Sequence, residues 1–260
     1  MTTTTGTWTP IMLYGAPVIL NNQILSLGNE GASLLDNLLA HYKLDETSGT
    51  LYNSVPNSSD LTDTANASLG YTGKIGNGVY FDASTNYIRT ANIGDLGLGG
   101  RDAVAFSLWL KADASSWDLK YNFRFIQQYQ IIQLSNENYD ATHNRFHVGA
   151  FNDDASNYYS AHHQDIIVGQ WEHYVVNVSD KGPIEIYRNG VIGTYYTNTF
   201  YGVFATPGTP LNIGGINGVY SRPTAMKGVI DEVGIWSRPL SQIEVSTLYN
   251  NGNGKTYPFL

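Results

Sequence analysis

Cysteine is absent from the 260-residue chain, which removes disulfides, zinc–thiolate sites and a cysteine nucleophile from consideration. Charge is also scarce. Only 14% of residues are Asp, Glu, Lys or Arg, against about 25% in ordinary soluble domains. Basic residues are the rarer kind, 14 against 22 acidic, for a net charge of −8. With no Lys/Arg cluster to neutralise phosphates, nucleic-acid binding is not expected. No apolar run approaches the roughly 18 residues that a membrane helix needs. The N-terminus lacks a basic segment followed by an apolar one, so no secretory signal is expected there.

What the chain does have is aromatic and apolar. Nineteen tyrosines, nine phenylalanines and five tryptophans sit in a sequence that is 42% hydrophobic. Aromatic side chains suit a pleated, half-buried surface, so the composition favours strands. Residues 1–37 read as an extended N-terminal arm: a Thr-rich start, then Trp8 to Leu20 interrupted by Pro10 and Pro17. Asn21-Asn22 suggests a hairpin returning through Gln23 to Leu27, and a short helix is predicted across Ala32 to Leu39. Residues 38–260 form the main domain.

Within that domain, strand and turn signals alternate. Val104, Phe106, Leu108 and Leu110 share one face of a strand, with Trp109 and Lys111 on the other. Further strands are predicted at 125–134, 145–151, 171–178 and 227–236. Asn189-Gly190, between two strand-like runs, matches the positive-φ demand of a type I′ hairpin turn. Near the end, Ser241-Gln-Ile-Glu244 is a capping box, predicted to open a short helix anchored by Ile243, Val245 and Leu248 and stopped at Asn251-Gly252. The fold class expected is all-β, a two-sheet antiparallel jelly-roll sandwich with one short C-terminal helix.

Several stretches, taken in order, carry a family resemblance. They are Leu39-Ala-His-Tyr-Lys-Leu-Asp45-Glu-Thr-Ser-Gly49, Gly73-Lys-Ile-Gly-Asn-Gly-Val-Tyr-Phe-Asp82, Phe106-Ser-Leu-Trp-Leu-Lys111, Gly169-Gln-Trp-Glu-His-Tyr-Val175 and Gly228-Val-Ile-Asp-Glu-Val-Gly-Ile-Trp-Ser-Arg-Pro-Leu-Ser241. Together, over residues 38–250, the chain resembles the laminin G-like, concanavalin A-like lectin/glucanase superfamily. The resemblance implies two antiparallel sheets packed face to face. It also implies a structural Ca2+ near the rim, with Asp231 as a ligand and Asn53, Asn57 and Asp60 on the matching loop. Asn53 there replaces the family's first acid, and Pro56 replaces a glycine.

Relatives on this fold include glycosidases, which need two carboxylates flanking the scissile bond. The Glu-x-Asp-x-x-Glu strand pattern of the laminarinase-like branch is missing. Asp231 and Glu232 are adjacent, so a regular strand would send them to opposite faces. Glu172 and Glu185 stand alone on their strands. No enzyme is expected. His143 and His147, four apart on a strand, would lie about 13 Å apart, too far for one ion. His162-His163 with Asp165 is the other histidine cluster, and no zinc site is expected from either. Exposed aromatics can stack on the apolar face of a sugar ring, and Trp109, Trp117, Tyr158 and Tyr159 are the candidates for glycan binding.

Three functional readings compete. The first is a non-enzymatic bacteriophage virion protein, a capsid decoration or fibre component made in the host cytoplasm. Residues 1–37 would anchor it to itself or to other virion proteins, and the lectin-like domain would take a glycan. The second is an extracellular bacterial carbohydrate-binding or adhesion module. The third is a glycan-active hydrolase or lyase.

Overall fold

A computed structural model describes residues 18–20, 23–25, 33–82, 86–113, 123–138, 144–153, 157–193, 196–216 and 225–260, the first two segments by backbone alone. The chain divides into two units, Met1–Ala32 and Ser33–Leu260. In the first, strands β1 (Val18–Leu20) and β2 (Gln23–Leu25) pair antiparallel, as the expected hairpin requires. The segment predicted as a helix over 32–39 is instead a turn, Leu34 to Asn37, that runs into a strand. Asn37 at φ 59° reverses the chain there. Leu34 is 7% exposed and packs with Trp236, so residues 33–37 belong to the main unit rather than to the arm.

The main unit continues with β3 (Leu38–Tyr42), β4 (Leu61–Asp63), β5 (Ser68–Thr72), β6 (Asn77–Asp82), β7 (Ile88–Thr90), β8 (Ala103–Ala112) and β9 (Arg124–Gln128). Then come β10 (Ile132–Asn138), β11 (Asn144–Phe151), β12 (Tyr158–Asp165), β13 (Trp171–Ser179), β14 (Glu185–Arg188) and β15 (Val191–Ile192). The last are β16 (Tyr196–Thr197), β17 (Asn212–Ile213), β18 (Lys227–Trp236) and helix α1 (Gln242–Tyr249). The single run predicted at 125–134 is two strands, because residues 129–131 turn and Gln130 takes φ 66°.

One sheet has the order β15-β14-β13-β8-β18-β6-β5, with β3 added beside β18; the other has β16-β12-β11-β10-β9-β17-β7-β4. Every strand pairing in them is antiparallel. The core lies between the sheets. Val104, Phe106, Leu108 and Leu110 enter it from the first sheet, as their alternation predicted, and meet Phe125, Leu134, Phe146 and Val148 from the second. Phe146 stacks on Tyr174 with ring centroids 4.0 Å apart. Asn189 (φ 52°) and Gly190 (φ 83°) form the predicted hairpin turn.

Helix α1 opens with the complete capping box of Ser241 and Glu244. Arg238 donates to Glu244 as well, holding the cap against the preceding loop. Val245 and Leu248 face the protein, whereas Ile243 is 54% exposed and anchors nothing. The helix stops one residue before Asn251, at Asn250 in the left-handed region. It covers much of the first sheet's outer face through a second apolar cluster that includes Ala105, Val175, Tyr187, Trp236 and Leu240.

Candidate functional site

Helix α1 decides which outer faces stay available. Trp109 points outward from β8, but it is only 2% exposed. Tyr249 of α1 lies over it at 5.9 Å, His173 beside it at 5.0 Å, and the Lys74 ammonium caps it at 4.7 Å. A ring so enclosed offers no face to a sugar, so Trp109 is not a platform. Tyr159 is also ruled out: it turns inward, packs on the core and meets Phe200 edge-on. Trp117 lies outside the described residues.

Tyr158, next along β12 and therefore on the opposite face, is 44% exposed. Its ring lies across Gly149 of β11, where a Cβ would come within 2.5 Å of it. Glycine at 149 makes the bed in which the ring rests. The Tyr158 hydroxyl accepts from Gln133 Nε2 at 2.8 Å and lies 3.1 Å from His147 Nε2. His147 Nδ1 in turn lies 3.2 Å from Ser135 Oγ. Burial, with Arg124 and His162 adding to it, pushes His147 down to about 3, so the ring is neutral at pH 7 and can donate on one side and accept on the other.

The pairing registers extend this point into a polar band. Gly149 sits opposite Gln133, Gln133 opposite Gln127, Gln127 opposite Asn212, and Asn212 opposite Arg89. Directly opposed residues share a face, so the band crosses β11, β10, β9, β17 and β7. At its far end a small depression is lined by Arg89, Gln127, Tyr129, Thr209, Asn212 and Ile216. Tyr129 is 37% exposed there. Four strand spacings separate the ends of the band, about 19 Å. His147 and His162, remote in sequence, are cross-strand partners beside it, and Tyr196 stacks on His162 at 5.4 Å. Spacing along one strand could not show that pairing. His143 lies outside the described residues.

The residues implied for calcium do not fit a cation. Asn53 Oδ1 accepts from the amides of His41 and Val55, and Asp60 Oδ1 accepts from the Asn53 amide. Asp231 Oδ2 accepts from Lys74 and Ile75, and its Oδ1 from Glu232. Asn57 is an exposed turn residue at φ 60°. Amide hydrogens aimed at these oxygens occupy the place where a positive ion would have to stand. Among the described residues, no group of three or more His, Cys, Asp or Glu could hold a metal.

Nor do Asp231 and Glu232 straddle the sheet as alternation predicted. A bulge between Asp231 and Gly234 puts Glu232 at φ 49°. Asp231 stays opposite outward-facing Trp109, while Glu232 reaches His41 Nε2 at 3.1 Å, also on the outer side. Both are buried under the first sheet's cover, and burial raises each to about 8. Glu172, isolated in sequence, is bound by Arg188 at 3.2 Å, and Glu185 accepts from Asn177 and Tyr187. On the open face, Asp63 pairs with Arg89 at 2.7 Å.

Residues 81–246 match the concanavalin A-like lectin/glucanases superfamily. The chain belongs to it. No curated protein matches this concanavalin A-like chain. Among solved structures, it is similar to domain 4 of AbnA, a GH43 extracellular arabinanase from Geobacillus stearothermophilus, in complex with arabinotriose. That likeness has 22% identity and a TM-score of 0.56, over 81% of this chain and 97% of that one. It is also similar to the binding domain of Paraclostridial Mosquitocidal Protein 1, at 15% identity and TM-score 0.67, over 85% of this chain and 53% of that one. A third is Trypanosoma rangeli sialidase, at 15% identity and TM-score 0.61, where 84% of this chain covers 33% of the other. The chain thus spans about half of the mosquitocidal binding domain and a third of the sialidase. These likenesses establish the lectin-like fold.

Proposed function

We propose that this domain is a non-catalytic carbohydrate-binding module whose glycan lies along the band from Tyr158 to Arg89. One observation carries the reading. Of the two outer faces, the second sheet's presents an exposed tyrosine bedded on glycine at one end, a tyrosine-flanked depression at the other, and the part-exposed Gln133 amide beside the first, with Gln127 and Asn212 buried in the same row. Amide and hydroxyl groups match sugar hydroxyls, and the tyrosines match the C–H faces of the rings. Contact points at both ends of a row about 19 Å long suit a chain passing across it better than a small molecule, which a single pocket would enclose. Arabinotriose, bound by a domain of the same fold, is a sensible first probe.

The test is a glycan array, with arabinotriose and reducing-sugar release measured alongside. Tyr158→Ala is expected to weaken binding about tenfold or less, in keeping with the loss of one aromatic contact. Gly149→Ala should weaken it similarly by lifting the ring from its bed. EDTA should change nothing, and no sugar should be released. Wild-type affinity in both variants would overturn the assignment of this face; release of reducing ends would overturn the non-catalytic reading.

The wider role proposed is a bacteriophage virion component, with the N-terminal unit as the assembly arm. The apolar, proline-interrupted segment Trp8 to Leu20 supports this, being too short to bury its own side chains. The structural boundary makes deletion of residues 1–32 the right variant, because Leu34 belongs to the domain. The truncated protein is expected to stay folded, bind glycan and fail to assemble. An unaltered oligomeric state, with no affinity of the full chain for virion proteins, would end the virion reading and favour a secreted adhesion module.

A further inference from the structure

We infer a second carbohydrate-binding strip on the first sheet, facing away from the first site, which would make one domain bivalent. It rests on the glycan reading above for its ligand class, but on different residues. The cover provided by α1 reaches Trp109, on which the helix's last residue, Tyr249, is stacked. The next outward-facing row of the sheet lies two residues further along β8. In that row Tyr80 of β6 opposes Val229 of β18, Val229 opposes Lys111 of β8, and Lys111 opposes Trp171 of β13. Tyr80, Lys111 and Trp171 are each partly exposed. Tyr71 on the edge strand β5 extends the row: its ring stacks on Tyr80 at 4.9 Å and 25°, and it is 49% exposed.

The chemistry of the row is that of a sugar track. Aromatic groups stand at both ends, Tyr71 with Tyr80 at one and Trp171 at the other, about 14 Å apart by three strand spacings from Tyr80 to Trp171. Between them the stem of part-exposed Lys111 forms the apolar floor, with Val229 buried in the same row. The Tyr80 hydroxyl bonds Asp113 Oδ2 at 3.2 Å, which sets a hydroxyl and a carboxylate at the margin. A chain of about three pyranose rings would lay C–H faces on the rings and hydroxyls against those polar groups. A protein partner would need roughly 800 Å² per side, and a track one residue wide beside a helix does not provide it. Because the sheets stack about 10 Å apart, the two sites face opposite ways, and one protein could bridge two polysaccharide chains.

The experiment is affinity electrophoresis of the full chain through gels containing, in turn, soluble arabinan, xylan, mixed-linkage glucan and bacterial lipopolysaccharide. Turbidity in solutions of the same polysaccharides reports cross-linking. Tyr71→Ala and Trp171→Ala are each expected to weaken retardation about fivefold and to abolish turbidity. Tyr71→Phe, which keeps the ring, should behave as wild type and shows that folding is not the cause. Tyr158→Ala should leave residual retardation, and Tyr71→Ala combined with Tyr158→Ala should remove it. If Tyr71→Ala and Trp171→Ala migrate and cross-link as wild type while Tyr158→Ala is released, the strip is refuted and the first site stands. If Tyr158→Ala alone removes all retardation, the strip is likewise refuted. Wild type unretarded in every gel refutes both.

Discussion

Thermal unfolding followed across the pH range is expected to give a melting temperature that peaks at about pH 6.5 and falls on both sides. Two sets of buried groups produce the two limbs. Burial holds His41, His147 and His173 down to about 3 and His163 to about 4, so these rings stay neutral in the fold while the unfolded chain protonates them. Their cost is absent above the ordinary histidine range and grows as pH falls through it. Asp231 and Glu232 act in the opposite sense. With folded values of about 8, they hold protons that the unfolded chain has already released, so their cost begins above the ordinary carboxylate range and grows until pH 8. Each such proton is worth about 1.4 kcal/mol per pH unit. Four histidines outweigh two acids on the acid side; above the histidine range only the acids remain.

Glu232→Gln separates the two contributions. The amide is neutral at every pH, so the variant should match wild type near pH 5 and exceed it near pH 8.5, with a flatter alkaline limb. Alkaline limbs that run parallel in the two proteins would show that Glu232 is ionised in the fold and paired with a charged His41.

Trp236→Ala is expected to cost about 3–5 kcal/mol, the usual range for truncating a buried aromatic, measured by urea unfolding. Trp236 is fully buried, its indole N–H donates to the Leu34 carbonyl at 2.7 Å, and it packs in the cluster that seats α1 on the sheet. Its loss removes ring contacts to Phe259 and leaves the Leu34 carbonyl without its donor. The same change should loosen the helix over Trp109 and His173, seen as new binding of a hydrophobic dye. A cost below about 1 kcal/mol would mean that the helix is held elsewhere, by Arg238 and the capping box.

Local chemistry was legible in the chain. The alternation of β8, the Asn189-Gly190 turn and the Ser241–Glu244 capping box each depend on residues within a few positions of one another, and each is present as read. Tyr158 was legible as an exposed aromatic among polar neighbours. Its bed on Gly149 and its bonds to Gln133 and His147 were not, because those groups come from two other strands.

The sequence by itself determined the class of the fold and the face that each regular strand buries, since side-chain period and turn chemistry are local properties. Tertiary structure alone decided three things. It placed α1 over Trp109 and left Tyr158 open, although both rings point outward from their strands. It re-aimed Glu232 through a bulge that breaks the two-residue period. It aligned Gln133, Gln127, Asn212 and Arg89, which no spacing along the chain relates. The physical reason is the same in each case: exposure and register belong to pairs of elements, and the energy that sets them is counted between strands rather than along one.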